Sequence, residues 1–259
     1  MAHESVQPAT DFGAGAAAYG RLADRGIDPR QVIGHTEFGA INVAGLYSML
    51  GVIAATEKAG QSPTHALARL ALQSGLPSEV ADTLFLAYNQ QSAEEAGHGD
   101  KVFGNAYYLM GGTAPNAEQS AVGDGAASFL AATADKKQNK QRLGGLAGVL
   151  GGIETVALNN AFPMIVSLCE GWDHAIARDL LTQIRDTVRP EESRHVLIWR
   201  YVFHNLIASK GQPVIDMYLE ATNTGRRQIG GDALDAKTFA RMLGSAPTPR
   251  QLLGKERAL

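Results

Sequence analysis

Apolar residues recur with helical spacing through almost the whole chain, and strand-like alternation of apolar and polar positions is nearly absent. The pattern predicts an all-α protein. Helices are expected over 16–25 (a weak one), 37–59, 64–73, 78–110, 117–134, 142–171, 173–209, 213–227 and 236–242, with an irregular tail beyond Pro247. Ser62-Pro63 reads as the start of the 64–73 helix, because proline is accepted in a first turn, where its missing N–H has no partner to lose. Pro77 stands ahead of the next helix in the same way. Pro163 and Pro190 fall inside longer patterns, and each removes a backbone donor and is expected to kink or break its helix. Pro190 does so beside Glu191-Glu192.

The stretch from Phe38 to Thr56 carries no charge over 19 residues, within the length of a membrane span. Asn42, Ser48, three glycines and the flanking Glu37 and Glu57 favour a core helix of a soluble bundle. With 259 residues, 45% apolar and 19% charged, the chain has an ordinary globular balance. It is read as one domain, with a core of about 34–210 and a helical extension over 211–259. The net charge is −3. The only basic cluster, Lys136, Lys137, Lys140 and Arg142, is broken by polar residues, so it reads as a solvated loop and not a nucleic-acid surface. The single cysteine, Cys169, lies in an apolar run and reads as a small buried side chain. No internal disulfide can form, and residues 1–13 lack the features of a signal peptide, so a cytoplasmic location is expected.

The chain also resembles itself. Glu94-Glu95-x-x-His98 matches Glu191-Glu192-x-x-His195. Upstream, the pattern Glu-x-x-Ala-(Ile/Leu)-Asn-x-Ala occurs at Glu37 and again at Glu154. The two pairs are offset by 97 and 117 residues, a difference attributed to an extra short helix over 64–73. Each half then becomes a helical hairpin with a Glu on its first helix and Glu-Glu-x-x-His on its second.

That spacing has a chemical reading. Residues i and i+3 share one helix face, so Glu-x-x-His aims a carboxylate and an imidazole at one point. Two such motifs and two further glutamates supply four carboxylates and two imidazoles, whose four negative charges balance two divalent cations. Without cations, four inward carboxylates repel, and some must take up protons. Glu57 competes with Glu37 for the remaining position, because it lies 38 residues before Glu95, as Glu154 lies 38 before Glu192. If the first helix ends near Ala59, however, Glu57 is misplaced along its axis by roughly 20 Å. Glu37 is therefore the expected ligand.

The order Glu37, Glu95/His98, Glu154, Glu192/His195 resembles the ferritin-like di-iron carboxylate superfamily over about residues 37–204. The resemblance implies a four-helix bundle with Glu95 and Glu192 bridging two iron ions and Glu37 and Glu154 terminal. Glu191-Glu192-Ser-Arg194-His195 is similar to the Asp-Glu-x-Arg-His motif of bacterial di-iron monooxygenases, with Glu in place of Asp. By that likeness Glu191 supports His98, and Glu94 supports His195. Gly97 departs from the motif, standing where Arg194 stands in the second half, and is expected to leave space beside the metals.

The activity implied is that of a non-haem di-iron oxidase or oxygenase. It would use O2 to hydroxylate, desaturate, N-oxygenate or cleave a small or slender organic substrate. Ala40, Ala44, Ala157 and Ala161 would leave it room, and an external electron donor would complete the reaction. Manganese or a mixed Mn/Fe pair is the alternative metal content, and a ferroxidase or iron-binding protein the alternative function. Manganese catalases lack one Glu of the double motif. No nucleic acid and no membrane span are expected, and pairing into a homodimer is left open. Tyr47, Tyr107, Tyr108 and Tyr201, and the spare His35 and His204, are read as packing or surface groups. Asn42 and Asn159 are read as interhelical hydrogen-bonding groups. The glycine-rich run 144–152 reads as close helix packing or as room for substrate.

Overall fold

The structure is a computed structural model that describes residues 37–112, 139–170 and 172–254; the side chains of 37–44 and of Ser48 are not among those described. The helices expected over 16–25 and 117–134, and His35, lie outside these residues. Every regular element among the described residues is helical. They are α1 (Glu37–Gln73), α2 (Ser78–Gly97), α3 (Phe103–Leu109), α4 (Asn139–Val156), α5 (Phe162–Glu170), α6 (Ala175–Gln183), α7 (Arg189–Val202), α8 (Gln212–Gln228), α9 (Ala236–Leu243) and α10 (Pro249–Leu252).

The largest departure from the sequence reading is α1, which does not stop near Ala59. It continues through Pro63 to Gln73 as one helix of 37 residues. A mid-helix proline costs about 3 kcal/mol or more, because it takes the helical donor from the carbonyl four residues earlier, here Ala59; the next two carbonyls gain side-chain donors. The Thr64 hydroxyl donates to the carbonyls of Gly60 and Gln61, each at 2.9 Å, and Ser92 Oγ on α2 donates to Gln61 O at 3.1 Å. Beyond the proline, Leu67, Ala68 and Ala71 are fully buried, so tertiary packing carries the helix onward.

Single π turns join several helices end to end. They are His98–Val102 between α2 and α3, Ala157–Ala161 between α4 and α5, Ile184–Val188 between α6 and α7, and Phe203–Ile207 after α7. Pro163 and Pro190 each stand at the second residue after such a turn. The kinks expected from them therefore take the form of a widened turn that tolerates a missing donor. The C-terminal tail is not wholly irregular. Thr248 and Gln251 form a reciprocal capping box that starts α10.

Helices α1, α2, α4 and α7 pack in a closed circuit: α1 on α2 and α4, and α7 on α4 and α2. Helix α8 packs along α4, and the close approach is made possible by glycine. A Cβ added to Gly152 would lie 2.0 Å from Thr222 O, one on Gly225 1.9 Å from Val149 O, and one on Gly151 2.1 Å from the Trp199 ring. The run 144–152 thus serves helix packing. The 211–254 segment is not a loose extension, because Tyr218, Phe239 and Leu243 sit within the core.

The buried apolar side chains form two clusters, and every helix of the circuit passes through their junction. Along α1, Ala54 belongs to one cluster and Leu67 to the other; along α2, Tyr88 and then Val102 beyond its end; along α4, Ile153 and then Phe162; along α7, Val188 just before it and then Ile198. The residue types change at that junction, where Glu57, Glu95, Glu154 and Glu192 are all buried.

Among the described residues, one stretch, Asn139–Glu170, is long and apolar enough to cross a membrane by length and composition, but 56% of its most apolar window is buried in the protein. The uncharged stretch 38–56 lies in α1 and buries Leu46, Tyr47, Leu50 and Ala54.

Candidate metal centre

At the junction of the two apolar clusters, six ionisable side chains converge. Glu57, Glu95, His98 and Glu192 bring one ligand atom each within 4.8 Å of one another, and so do Glu95, Glu154 and His195. All are buried. Glu95 belongs to both groups. Glu192 also faces both histidines: Oε1 lies 3.1 Å from His98 Nδ1, and Oε2 lies 3.2 Å from His195 Nδ1. Glu95 and Glu192 therefore stand between two potential ion positions, with Glu57 beside one and Glu154 beside the other.

Glu57, not Glu37, completes this set. Glu37 begins α1, and 20 residues of helix separate it from Glu57, a distance of about 30 Å along the axis. The expectation of Glu37 rested on a helix ending near Ala59. Because α1 runs on to Gln73, Glu57 lies well inside it and level with Glu95 on its partner helix. The repeat is correspondingly simpler. Glu57 and Glu154, Glu95 and Glu192, and His98 and His195 are all 97 residues apart. The Asn-containing match that suggested the 117-residue offset was a decoy. Asn159 donates to Thr155 O on its own helix at 2.6 Å, and the Asn42 side chain lies outside those described.

Each histidine turns Nδ1 toward the cluster and Nε2 away from it. His98 Nε2 donates to Glu191 Oε2 at 2.7 Å, and His195 Nε2 donates to Glu94 Oε2 at 3.0 Å. An Nε2–H held in this way leaves the Nδ1 lone pair for a cation, the arrangement that fixes the tautomer and orientation of a metal-ligating imidazole. Arg194 makes a short ion pair with Glu94 and lies 3.9 Å from Glu191. Gly97, its counterpart 97 residues earlier, has nothing within 4 Å of where a Cβ would stand, and it does not line the cavity described below.

The motif search missed one residue. Gln91, one turn before Glu95 and only 2% exposed, donates from Nε2 to Glu95 Oε1 at 3.0 Å and to Glu154 Oε1 at 2.7 Å. Its one mark in the sequence is faint: a polar side chain four residues before a motif glutamate, where the second half has Val188. Tyr88 was also missed. It is fully buried near Glu154, and that burial and the carboxylate hold its phenol protonated. The tyrosines read from sequence as packing or surface groups are so placed: Tyr47 and Tyr107 have ring centres 4.7 Å apart, Tyr201 lies within the core and Tyr108 is exposed. His204 bonds the carbonyl of Gly244 at the surface. Cys169 is buried, and its burial pushes the thiol up to about 12.

In the metal-free protein, protons substitute for cations. Burial and the neighbouring carboxylates raise Glu57, and raise Glu95 and Glu154 to about 8. Burial works against charge on His98, but Glu191, Glu192 and Glu57 outweigh it and lift the imidazole to about 12. His195 is raised in the same way by Glu192, Glu154 and Glu94. Glu192 is driven low despite burial, chiefly by His195. Yet its Oε1, with His98 Nδ1 close by but outside hydrogen-bonding geometry, accepts no hydrogen bond. A buried anionic oxygen without a hydrogen bond fits a missing cation. The donor set of four carboxylates and two imidazoles suits iron or manganese.

On its carboxylate side the cluster opens into a cavity of about 470 Å³. Glu57, Glu95 and Glu154 form one wall, and Met49, Ile53, Leu150, Ile153, Phe162 and Met164 are among the others. Ala157 and Ala161 line it, as the sequence suggested; the side chains of Ala40 and Ala44 lie outside those described. The histidines and Glu192 do not line it.

Comparison of the chain with protein-family models, with curated proteins and with solved structures gave no match.

Proposed function

We propose that this protein is a ferritin-like di-iron oxidase or oxygenase, with Glu57, Glu95, His98, Glu154, Glu192 and His195 as metal ligands. The observation that carries this reading is the coincidence of two features. Each half of the internal duplication contributes two carboxylates and one imidazole to a buried set of four carboxylates and two imidazoles, and that set opens directly onto a largely apolar cavity. Bound there, two reduced iron ions would supply the activation of O2. Hydroxylation of a C–H bond by O2 consumes two electrons and two protons and yields water, so an external electron donor is required.

The chain's own residues have separable tasks. Glu95 and Glu192 would each serve both metal positions. Glu191 and Glu94 orient the imidazoles. Gln91 gives its amide N–H groups to Glu95 and Glu154 and so holds those two carboxylates in place at the cavity wall. The apolar walls exclude water and hold the substrate against the carboxylate face.

The cavity also favours this reading over iron storage. Apolar walls from the surface to the ligands are a poor route for a hydrated cation, whereas they suit an organic substrate. Anaerobic loading with Fe(II) followed by metal analysis is the test. Two ions per chain are expected, with O2 uptake that requires a reductant and ceases when Glu95 or Glu192 is replaced. Accumulation of many irons per chain would establish storage instead. Equal uptake of Mn(II), with activity only in that form, would establish a manganese enzyme.

A further inference from the structure

The chemistry of the cavity walls restricts what enters, and this step rests on the functional reading above. Among the described residues, no lysine, arginine or histidine lines the cavity. Its charged groups among the described residues are Glu57, Glu95 and Glu154, which a bound metal pair would neutralise. Its polar side chains besides these are Thr56 and Asn160. Asn160 is exposed on the π turn between α4 and α5, and Val52 and Met164, 67% and 53% exposed, stand on α1 and α5. These three mark the mouth. The path from mouth to carboxylates therefore runs from one amide group through mostly apolar side chains, with the Thr56 hydroxyl as the one further neutral polar group among the described residues, to the ligand oxygens.

An anionic group carried down that path would lose its hydration with no cation on the walls to replace it, a cost of several kcal/mol. A cationic group would compete with the metals for the same carboxylates. The volume lies at the lower end of the range that holds drug-sized ligands, about 300–1,000 Å³.

We infer that the cavity binds an uncharged, predominantly hydrocarbon molecule, its apolar body against the metal-binding carboxylates and any single polar group at the mouth beside Asn160. Carboxylates, phosphates and protonated amines are excluded from the interior. The substrate reaches the protein as a neutral compound, or with its charge left outside the mouth.

Calorimetric titration of the full chain at pH 7.5, without iron, tests this. The probes are 1-nonanol against nonanoate and naphthalene against 1-naphthoate, each below its solubility limit. One neutral probe per chain is expected, bound at least ~10-fold more tightly than its anion. Ala157→Phe, which fills the cavity, should abolish that binding with the helical circular dichroism retained. Met164→Lys, at an exposed position where folding is little at risk, should raise nonanoate affinity by ~10-fold. The inference is overturned if neither neutral probe binds, if an anion binds as tightly as its neutral partner, or if neutral binding survives the filled cavity while Met164→Lys changes nothing. Because iron is absent, these outcomes are independent of the metal-loading experiment, which can fail or succeed separately.

Discussion

The two halves of this molecule place identical ligands at identical spacing and surround them differently. Glu57, Glu95 and His98 in the first half correspond to Glu154, Glu192 and His195 in the second, all 97 residues apart. Around them, Gln91 answers to Val188 and Gly97 to Arg194. The first half thus places an amide among the carboxylates, between Glu95 and Glu154. The second places a guanidinium behind an imidazole, on Glu94. The difference gives the centre two unlike faces. Its imidazole face is closed by Glu94, Glu191 and Arg194; its carboxylate face opens on the cavity. Duplication accounts for the candidate metal ligands, and the departures from it leave the two sides of the cluster unlike.

The most severe break in that symmetry is to remove a ligand from one half. Glu57→Ala should reduce tightly bound iron from two ions per chain to one or fewer, measured by metal analysis after desalting. Glu37→Ala, at the far end of the same helix, should leave two. Loss of metal in Glu37→Ala with retention in Glu57→Ala would overturn the 97-residue register.

Next in size is the response to pH, to which both halves contribute with the same sign. Glu95 and Glu154 are raised to about 8 in the folded, metal-free protein, from an ordinary value of 4.5. Their stabilising protons are fully present below about 4.5 and are lost as the pH rises through 8. His98 and His195 are raised as well, so their contribution also declines above about 6.5. The lowered Glu192 and Glu94 act below about 4.5 and do not oppose this trend. Thermal unfolding of the metal-free protein should therefore fall by on the order of 5–10 °C between pH 5.5 and 8.5. Metal binding displaces the same protons and should tighten over that interval. A metal-free melting temperature that rises across it would contradict the protonated centre.

Much of this centre was legible in the sequence, and the one ligand misplaced shows where legibility ends. The i, i+3 pairing of Glu with His is a local geometric fact, so Glu95/His98 and Glu192/His195 could be read directly from the spacing. The crossed supports, Glu191 to His98 and Glu94 to His195, came from a family resemblance and not from spacing, and the structure places both pairs in contact. Glu57 depended on where a helix ends. Ser62-Pro63 is a good local signal for a helix start, yet here the burial of Leu67, Ala68 and Ala71 and the hydroxyls of Thr64 and Ser92 carry α1 through it. Tertiary packing overrode the local rule, and that cannot be seen from within the segment. Gln91 was hidden for another reason: a single glutamine one turn from a motif has no signature until the fold brings Glu154 opposite.

Gln91 offers a finer test of the comparison. Gln91→Val gives the first half the second half's residue. Glu95 and Glu154 then lose a shared donor in a buried site, which should cost the metal-free protein about 1–3 kcal/mol. Iron affinity should weaken ~10–100-fold, the range seen when groups behind metal ligands are removed. Competition with a chelator measures the second effect. The reverse change, Val188→Gln, should not raise affinity, because Val188 belongs to the apolar cluster that includes Phe162 and Ile184. If it did, the amide would be acting without regard to which half carries it.

The smallest expected effect comes from exchanging Arg194 and Gly97. In Arg194→Gly, Glu94 keeps its bonds from His195 Nε2 and from Gln90 Nε2 at 2.8 Å, so the imidazole stays oriented. The lost ion pair is partly exposed, with side-chain accessibilities of 20% and 13%, and should be worth no more than about 1 kcal/mol. Iron affinity should fall less than ~10-fold, and less than in Glu94→Gln, where His195 loses its charged acceptor. Gly97→Arg is the complement. Nothing lies within 4 Å of the added Cβ, and helix α2 would gain a residue that favours it over glycine. Stability should hold or rise by a few tenths of a kcal/mol, with iron content unchanged. If Gly97→Arg expelled iron instead, the space beside Gly97 would be part of the centre, and the carboxylate face would not be its sole approach among the described residues.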